Sequence, residues 1–529
     1  MFVWNWGRVL LLFLLICSVE LHESLWPLPE HYSSGDHALS VDPALKLSVA
    51  GNAAASPILI AAFDRYRRIV FKHSTYGFSF IRKLSERFLS AFDLDTFNIT
   101  LLSDNDQLQL GLDESYTLLV PHPNHSSQLL IQANTVYGAL RGLETFSQLC
   151  SFDYTTKTVK IYKAPWSIQD KPRFAYRGLL LDTSRHYLPV NVIKQIIESM
   201  SYAKLNVLHW HIIDEQSFPL EVPTYPNLWK GSYSKWERYT VEDAYEVVNF
   251  AKMRGINVMA EVDVPGHAES WGTGYPDLWP SPYCREPLDV SKNFTFDVIS
   301  GILTDMRKIF PFELFHLGGD EVNTDCWSST SHIKEWLQNH NMTTRDAYQY
   351  FVLKAQEIAV SKNWSPVNWE ETFNTFPSKL HPKTIVHNWL GPGVCPKVVA
   401  KGFRCIYSNQ GVWYLDHLDV PWDQVYTAEP LQGIHTSSQQ ELVIGGEVCM
   451  WGETADTSNV QQTIWPRAAA AAERLWSPRD STSQNITLTV LPRLQNFRCL
   501  LNRRGVPAAP VTNYYARRAP IGPGSCYEQ

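Results

Sequence analysis

Eight short apolar runs mark the second part of the chain. They are RGLLLDTS (177–184), LNVLHWHIID (205–214), INVMAEVDVPGH (256–267), FELFHLGGDE (312–321), PVNWEE (366–371), TIVHNWL (384–390), FRCIYSNQ (403–410) and LVIGGEVCMWGE (442–453). Each is apolar almost throughout, the pattern of a strand buried on both faces. Helical spacing fills several intervals, at 190–205, 241–255 and 346–363. Thr240 is placed to cap the second of these helices and Gly255 to stop it. Buried strands alternating with helices predict a closed (β/α)8 barrel over 169–529; a doubly wound open sheet is the alternative, and the even spacing favours the barrel. The long interval before the last run predicts an irregular seventh helix.

Residues 23–168 read differently. A strand-like SYTLLV (115–120) and a helical VYGALRGLETFSQL (136–149) predict a smaller N-terminal α+β domain. The polar IQDKPRFAYRG (168–178) is placed as the boundary. At the start, VLLLFLLICSV (9–19) follows one arginine and precedes polar residues. That run is short for a membrane span and fits a signal peptide over about 1–22, with a retained anchor as the alternative. No other apolar run is long enough to span a bilayer.

Composition narrows the picture further. With 44% hydrophobic residues among 529, the chain can bury a large core. A net charge of −7 and the lack of a basic stripe argue against a nucleic-acid partner. Nineteen tryptophans are many, and suit stacking on ligand faces. Sequons at Asn98, Asn124, Asn293, Asn341 and Asn485 are candidate glycosylation sites, whereas Asn363 sits unfavourably in NWSP. Nine cysteines include Cys17 in the leader. The expected disulfides are Cys284–Cys326 and Cys499–Cys526, with Cys395 and Cys405 a further candidate pair; Cys150 and Cys449 read as buried thiols. There is no C-x-x-C pair to suggest zinc or redox chemistry, and no metal or cofactor is expected.

A barrel places its chemistry at the C-terminal strand ends. There the sequence offers Arg185, Asp214, Asp263, His267, Asp320, Glu321, Trp369, Glu370, Glu371, Trp389, Trp413, Tyr414, Asp416, Trp451 and Glu453. Asp320 and Glu321 are adjacent, so on a regular strand they would face opposite ways; Gly318-Gly319 lets the backbone turn so that both reach one ligand. Aromatics for pyranose faces, with arginine and carboxylates for hydroxyl pairs, resemble a sugar pocket. Blander readings exist for each. Arg185 could be a barrel-mouth ion pair, the tryptophans core, and Glu370 and Glu371 solvated. His209 and His211 could be a metal pair, but two hydrogen-bonded core histidines are the preferred reading, since no carboxylated lysine or later histidine completes a set.

HLGGDE, DTSRHYLP (182–189), HWHIID, EVDVPGH and GGEVCMWGE, in this order, resemble the β-N-acetylhexosaminidases of glycoside hydrolase family 20, particularly the plant-like lysosomal or vacuolar type. The resemblance runs over nearly the whole chain from about Trp26. It implies a retaining, substrate-assisted hydrolysis of terminal N-acetylglucosamine or N-acetylgalactosamine, on N-glycans or chitooligosaccharides, in which the substrate's acetamido carbonyl is the nucleophile. By that match Glu321 is the general acid and base, and Asp320 orients the acetamido group. Repulsion between the two is expected to raise the proton affinity of the acid. Arg185 and Glu453 match residues holding the 3- and 4-hydroxyls, and Asp214 a supporting acid. Tyr414 matches the hydroxyl on the acetamido carbonyl. Trp369, Trp389 and Trp451 match the pocket walls, and His267 a support for Glu321. Asp416 matches the residue near the 6-hydroxyl; the subunit type that takes 6-sulfated sugars has Asn followed by Arg there, against Asp416-His417 here, and since a carboxylate repels a sulfate this predicts neutral substrates. The family is compatible with a homodimer, with no stable membrane span, and with a vacuolar, lysosome-like or extracellular setting. A catalytically silent sugar binder and a metal-dependent hydrolase on the same barrel remain the alternatives.

Overall fold

Alternate apolar positions build the first layer. In the computed structural model, which describes residues 25–51, 56–73, 92–123, 125–483 and 485–512, they fall on β1 (His31–Gly51), β2 (Leu94–Leu101), β3 (Tyr116–Val120), β4 (Gln128–Ala133), β5 (Cys150–Asp153) and β6 (Thr158–Asp170). These form one mixed sheet in the order β1-β2-β4-β3-β6-β5, with β1 also pairing β6. Among the described residues two helices pack on it, α1 (Pro57–Val70) and α2 (Val136–Leu149), each with an N-terminal N–H held by its capping side chain, Ser56 and Thr135. The strand and helix expected at 115–120 and 136–149 are β3 and α2.

The eight apolar runs are the strands β7 (Tyr176–Asp182), β8 (Val207–Ile213), β9 (Asn257–Val262), β10 (Leu314–His316), β11 (Ser365–Trp369), β12 (Ile385–Asn388), β13 (Arg404–Tyr407) and β14 (Val443–Met450). All neighbours are parallel, and β14 pairs with β7 to close the barrel. Closure rules out the open sheet. Helices α3 (Val190–Tyr202), α4 (Val241–Lys252), α5 (Asn293–Ile309) and α6 (Thr344–Ser361) lie outside it. Capping boxes start two of them, Thr240 with Asp243 and Thr343 with Asp346, which is why α6 begins ahead of its apolar pattern. Only short helices, such as Trp422–Thr427 and Ser437–Gln440, fill the interval before β14. The irregular seventh segment was expected.

The first layer docks at the N-terminal ends of the barrel strands. Buried Glu114 lies 2.7 Å from both Arg141 of α2 and Arg177 at the start of β7. Arg141 also donates to the Gly255 carbonyl ahead of β9, and Lys204, ahead of β8, lies 2.9 Å from Asp170. This contact is on the face of a barrel that serves stability and leaves the opposite rim free.

Cys284–Cys326 and Cys395–Cys405 are disulfides, each with Cα atoms 5.6 Å apart. Cys449 is a buried free thiol, but Cys150 is only partly buried, because it starts β5 at the sheet edge. Cys526, Asn124 and the leader over 1–22 lie outside the described residues. Asn293, Asn341, Asn363 and Asn485 are exposed, and Asn98 is half-buried on β2. No helix among the described residues is long and apolar enough to cross a membrane.

Candidate active site

The turn after β10 separates the two adjacent acids. Gly318, Gly319 and Glu321 have φ of 60°, 95° and 48°, so the chain leaves the strand direction through the left-handed region. A Cβ at Gly318 would overlap the Asp263 carboxyl group. The Gly319 N–H donates to Asp263 Oδ1 at 2.8 Å, and the Asn368 amide donates to the Gly318 carbonyl at 3.0 Å. Tyr348 of α6 donates to the Gly319 carbonyl at 2.5 Å. Asp320 consequently points down into the barrel with 12% of its side chain exposed, and Glu321 stands at the mouth with 59% exposed.

His267 touches both. Its Nε2 lies 3.7 Å from Asp320 Oδ2 and 3.5 Å from Glu321 Oε2, and its Nδ1 lies 3.0 Å from Asp214 Oδ1. Glu286 fixes the backbone there, accepting from the N–H groups of His267 and Ala268 at 2.8 and 3.1 Å. Burial opposes a charge on His267, but Asp263 and Asp320 outweigh it and keep the ring protonated. Burial pushes the Asp320 carboxyl up, and pushes Asp263 well up with help from Asp320.

Glu321 behaves otherwise than the sequence led us to expect. Its carboxyl is held below the usual glutamate range, first by the hydrogen bond from His267. Repulsion from Asp320 does not raise it, because protonated His267 stands between the pair and Glu321 is half in water. The group with raised proton affinity is Asp320.

Asp214 anchors the neighbouring wall. It lies 2.7 Å from His211 Nε2 and 2.7 Å from the Arg185 guanidinium, and despite complete burial it stays below the usual carboxylate range through His211 and His267. Arg185 is also 3.0 Å from Asp182 and 3.6 Å from Glu453, and it lies over the Trp451 ring at 5.3 Å. It is a mouth ion pair that also packs on the aromatic wall. Trp369 and Trp451 have centroids 6.1 Å apart, Tyr414 and Trp451 6.0 Å, and Trp389 stacks with Tyr414 at 6.3 Å and 12°. These aromatics form one cluster over Leu180 and Cys449. Burial pushes the Asp416 carboxyl up to about 6. Asp320 Oδ1, Asp416 Oδ1 and Trp451 Nε1 are buried and lack a hydrogen-bond partner among the described residues. Each such atom costs about 1–3 kcal/mol unless a ligand supplies the partner.

Beneath the pocket the barrel interior is ionic. His209 lies 2.7 Å from Glu447 and 3.0 Å from Glu261, and His211 is 2.5 Å from Glu261. His209 and His211 are therefore core histidines with carboxylate partners. His209, His316 and His387 do bring ring nitrogens within 4.8 Å of one another, but both nitrogens of His209 already face carboxylates.

Several residues escaped sequence reasoning. Asp182 orients Arg185; Glu261 orients His211 and accepts from the Trp369 indole at 3.0 Å. Glu370, placed on the rim with solvation as the alternative, is fully buried. Period two was the available signal: Glu261 precedes Asp263 by one strand repeat, so both face the interior.

Comparison with known proteins agrees with this geometry. Residues 174–479 match "Glycosyl hydrolase family 20, catalytic domain", and 25–149 match "beta-acetyl hexosaminidase like". Beta-hexosaminidase 1 of Arabidopsis thaliana is 72% identical, over 96% of this chain and 94% of its own. Beta-hexosaminidase 3 of the same plant is 55% identical over the same shares, 96% and 94%. Among solved structures, a Flavobacterium johnsoniae chitobiase superposes with a TM-score of 0.78 at 29% identity, covering 91% of this chain and 73% of that one.

Proposed function

The chain belongs to glycosyl hydrolase family 20 and is a glycoside hydrolase of the β-hexosaminidase type; from that premise we propose that it removes terminal non-reducing N-acetylhexosamine with retention, using the substrate's acetamido group as nucleophile. The observation that carries this is the left-handed turn that buries Asp320 and leaves Glu321 at the mouth, with His267 in contact with both. A retaining enzyme with its own nucleophile needs two carboxylates flanking the bond. Here one of the pair lies at pocket depth among aromatic rings, suited to a group appended to the sugar.

In this reading Asp320 and Tyr414 grip the acetamido group, and Trp369, Trp389 and Trp451 enclose its methyl and the ring. Arg185 and Glu453 hold the 3- and 4-hydroxyls. The acetamido oxygen bonds to the anomeric carbon as the glycosidic C–O bond breaks, and Glu321 gives its proton to the departing oxygen. Asp320 stabilises the positive oxazolinium ring that results. Glu321 then takes a proton from water, which attacks the same carbon and reopens the ring. Glu321 must be protonated at the outset, and a bound sugar supplies the means: it strips water from a half-exposed carboxyl and so raises its proton affinity.

The finer parts of the reading are substrates with a neutral 6-hydroxyl, on N-glycans or chitooligosaccharides, and a vacuole- or lysosome-like compartment reached by secretion, with Asn98, Asn124, Asn293, Asn341 and Asn485 as glycan acceptors. They also include an N-terminal domain over 23–168 before the catalytic barrel of 169–529, and a homodimer, which light scattering would read. The test is hydrolysis of an aryl β-N-acetylglucosaminide beside the aryl β-glucoside near pH 5, for the protein, Asp320→Asn and Glu321→Gln, with and without EDTA. Cleavage of the acetamido sugar alone, indifferent to EDTA and lost by about 10²-fold or more in both variants, is expected. Binding without cleavage by the unaltered protein would instead make it a sugar binder, and loss on chelation a metal-dependent hydrolase.

A further inference from the structure

The doublet Glu370-Glu371 grips a single residue from two sides. Both belong to the short helix α7 (Glu370–Thr375) that follows β11. Glu370 Oε1 accepts from the backbone N–H groups of Trp389 and Leu390 at 3.0 and 2.5 Å and from the Asn388 amide at 3.2 Å. Glu371 accepts from the Trp389 indole N–H, with oxygens at 2.9 and 3.1 Å. One carboxyl thus fixes the backbone of the loop after β12, and the next fixes the ring that this loop presents. That ring is the one lying within 12° of parallel to Tyr414.

We propose that Glu371 is a positioning residue of the acetamido pocket, holding the Trp389 indole parallel to Tyr414. The inference rests on the glycosidase reading above and adds to it a residue that orients the wall without touching the reacting atoms. Among the described residues, the groups that act on this carboxyl include Asp320 from the turn after β10, Tyr348 from α6, Glu370 of its own helix and the Trp389 indole. None is cationic. Burial, and after it the Asp320 charge, push Glu371 up to about 8. Tyr348 is occupied with the Gly319 carbonyl and provides no charge.

A pH signature follows. A ligand over the pocket strips further water from a carboxyl that is already half-buried, so the neutral form binds better. Affinity therefore holds below about pH 8 and falls as Glu371 ionises above it. Glutamine at this position keeps an acceptor for the indole and has no charge to acquire. Alanine removes the acceptor and frees the ring.

The experiment is titration of N-acetylglucosamine, with glucose as control, into the full-length protein, Glu371→Gln and Glu371→Ala between pH 5 and 9, beside KM and kcat for the aryl acetamido substrate. Three results are expected. The unaltered protein loses about fivefold in affinity from pH 7 to 9, as a one-unit change in pKa on binding requires. Glu371→Gln matches it at pH 6 and stays flat at high pH. Glu371→Ala binds about tenfold more weakly at pH 6, with the loss in KM, as a displaced wall predicts. Glu371→Gln following the pH dependence of the unaltered protein overturns the proposal, and so does Glu371→Ala binding normally. If the alanine variant does not fold, the glutamine comparison decides alone. An unaltered protein that does not distinguish N-acetylglucosamine from glucose overturns the parent reading, and this one with it.

Discussion

His267 Nε2 lies 3.5 Å from Glu321 Oε2, and this contact holds the carboxyl of Glu321 below the usual glutamate range. In the proposed mechanism the same group must carry a proton when the glycosidic bond breaks. Binding has to reverse its preference.

That reversal is measurable in pH profiles. kcat/KM reports the free enzyme and kcat the complex. Glu321 is held low when free and loses water when covered, so the limb it controls is expected at higher pH in kcat than in kcat/KM. Coincident limbs would mean that the sugar does not change the surroundings of Glu321. Replacing His267 with glutamine should lower kcat/KM by about 10²-fold and move that limb upward, since the cation favouring the carboxylate is gone.

Asp416 gives a second pH test. Burial pushes its carboxyl up to about 6, so it is neutral in mild acid and anionic above. A 6-sulfated substrate meets repulsion only from the anion. Its rate relative to the neutral sugar is expected to fall as pH rises through about 6. Asp416→Asn should raise that ratio at pH 7 and remove its pH dependence; an unchanged ratio in the variant would place Asp416 away from the 6-position.

The Cys284–Cys326 disulfide spans a separation of 42 residues. It ties the loop carrying Glu286, which holds His267, to the segment just after Glu321. Closing a loop of that length is worth about 4 kcal/mol. Cys284→Ser with Cys326→Ser should lower stability by about that amount in denaturant titration, and should weaken kcat along with it. Retained kcat at conditions where the variant is folded would show that the loop holds His267 unaided.

Much of this architecture was readable from apolar spacing alone. The strands are buried on both faces, so each appears as an unbroken apolar run, and all eight runs became barrel strands. Rim positions were readable because barrel strands end where polar residues begin. What spacing hid was charge balance. Glu321 and Asp320 adjoin in sequence, but their proton affinities depend on His267, which lies more than fifty residues earlier. Glu370 and Glu371 resembled a solvated pair because nothing local shows that the loop at 388–390 returns to cover them. Glu261 and Glu447 were lost inside apolar runs, where a single acid looks like an exception rather than the partner of His209.

The central claim is that the acetamido oxygen attacks the anomeric carbon. It is tested most directly by an aryl substrate series in which the N-acetyl methyl carries none, one, two or three fluorines. Fluorine weakens the carbonyl oxygen as a nucleophile and leaves the leaving group unchanged. A steep fall in kcat with each fluorine is the predicted result, and kcat indifferent to the series would assign the nucleophile to the protein.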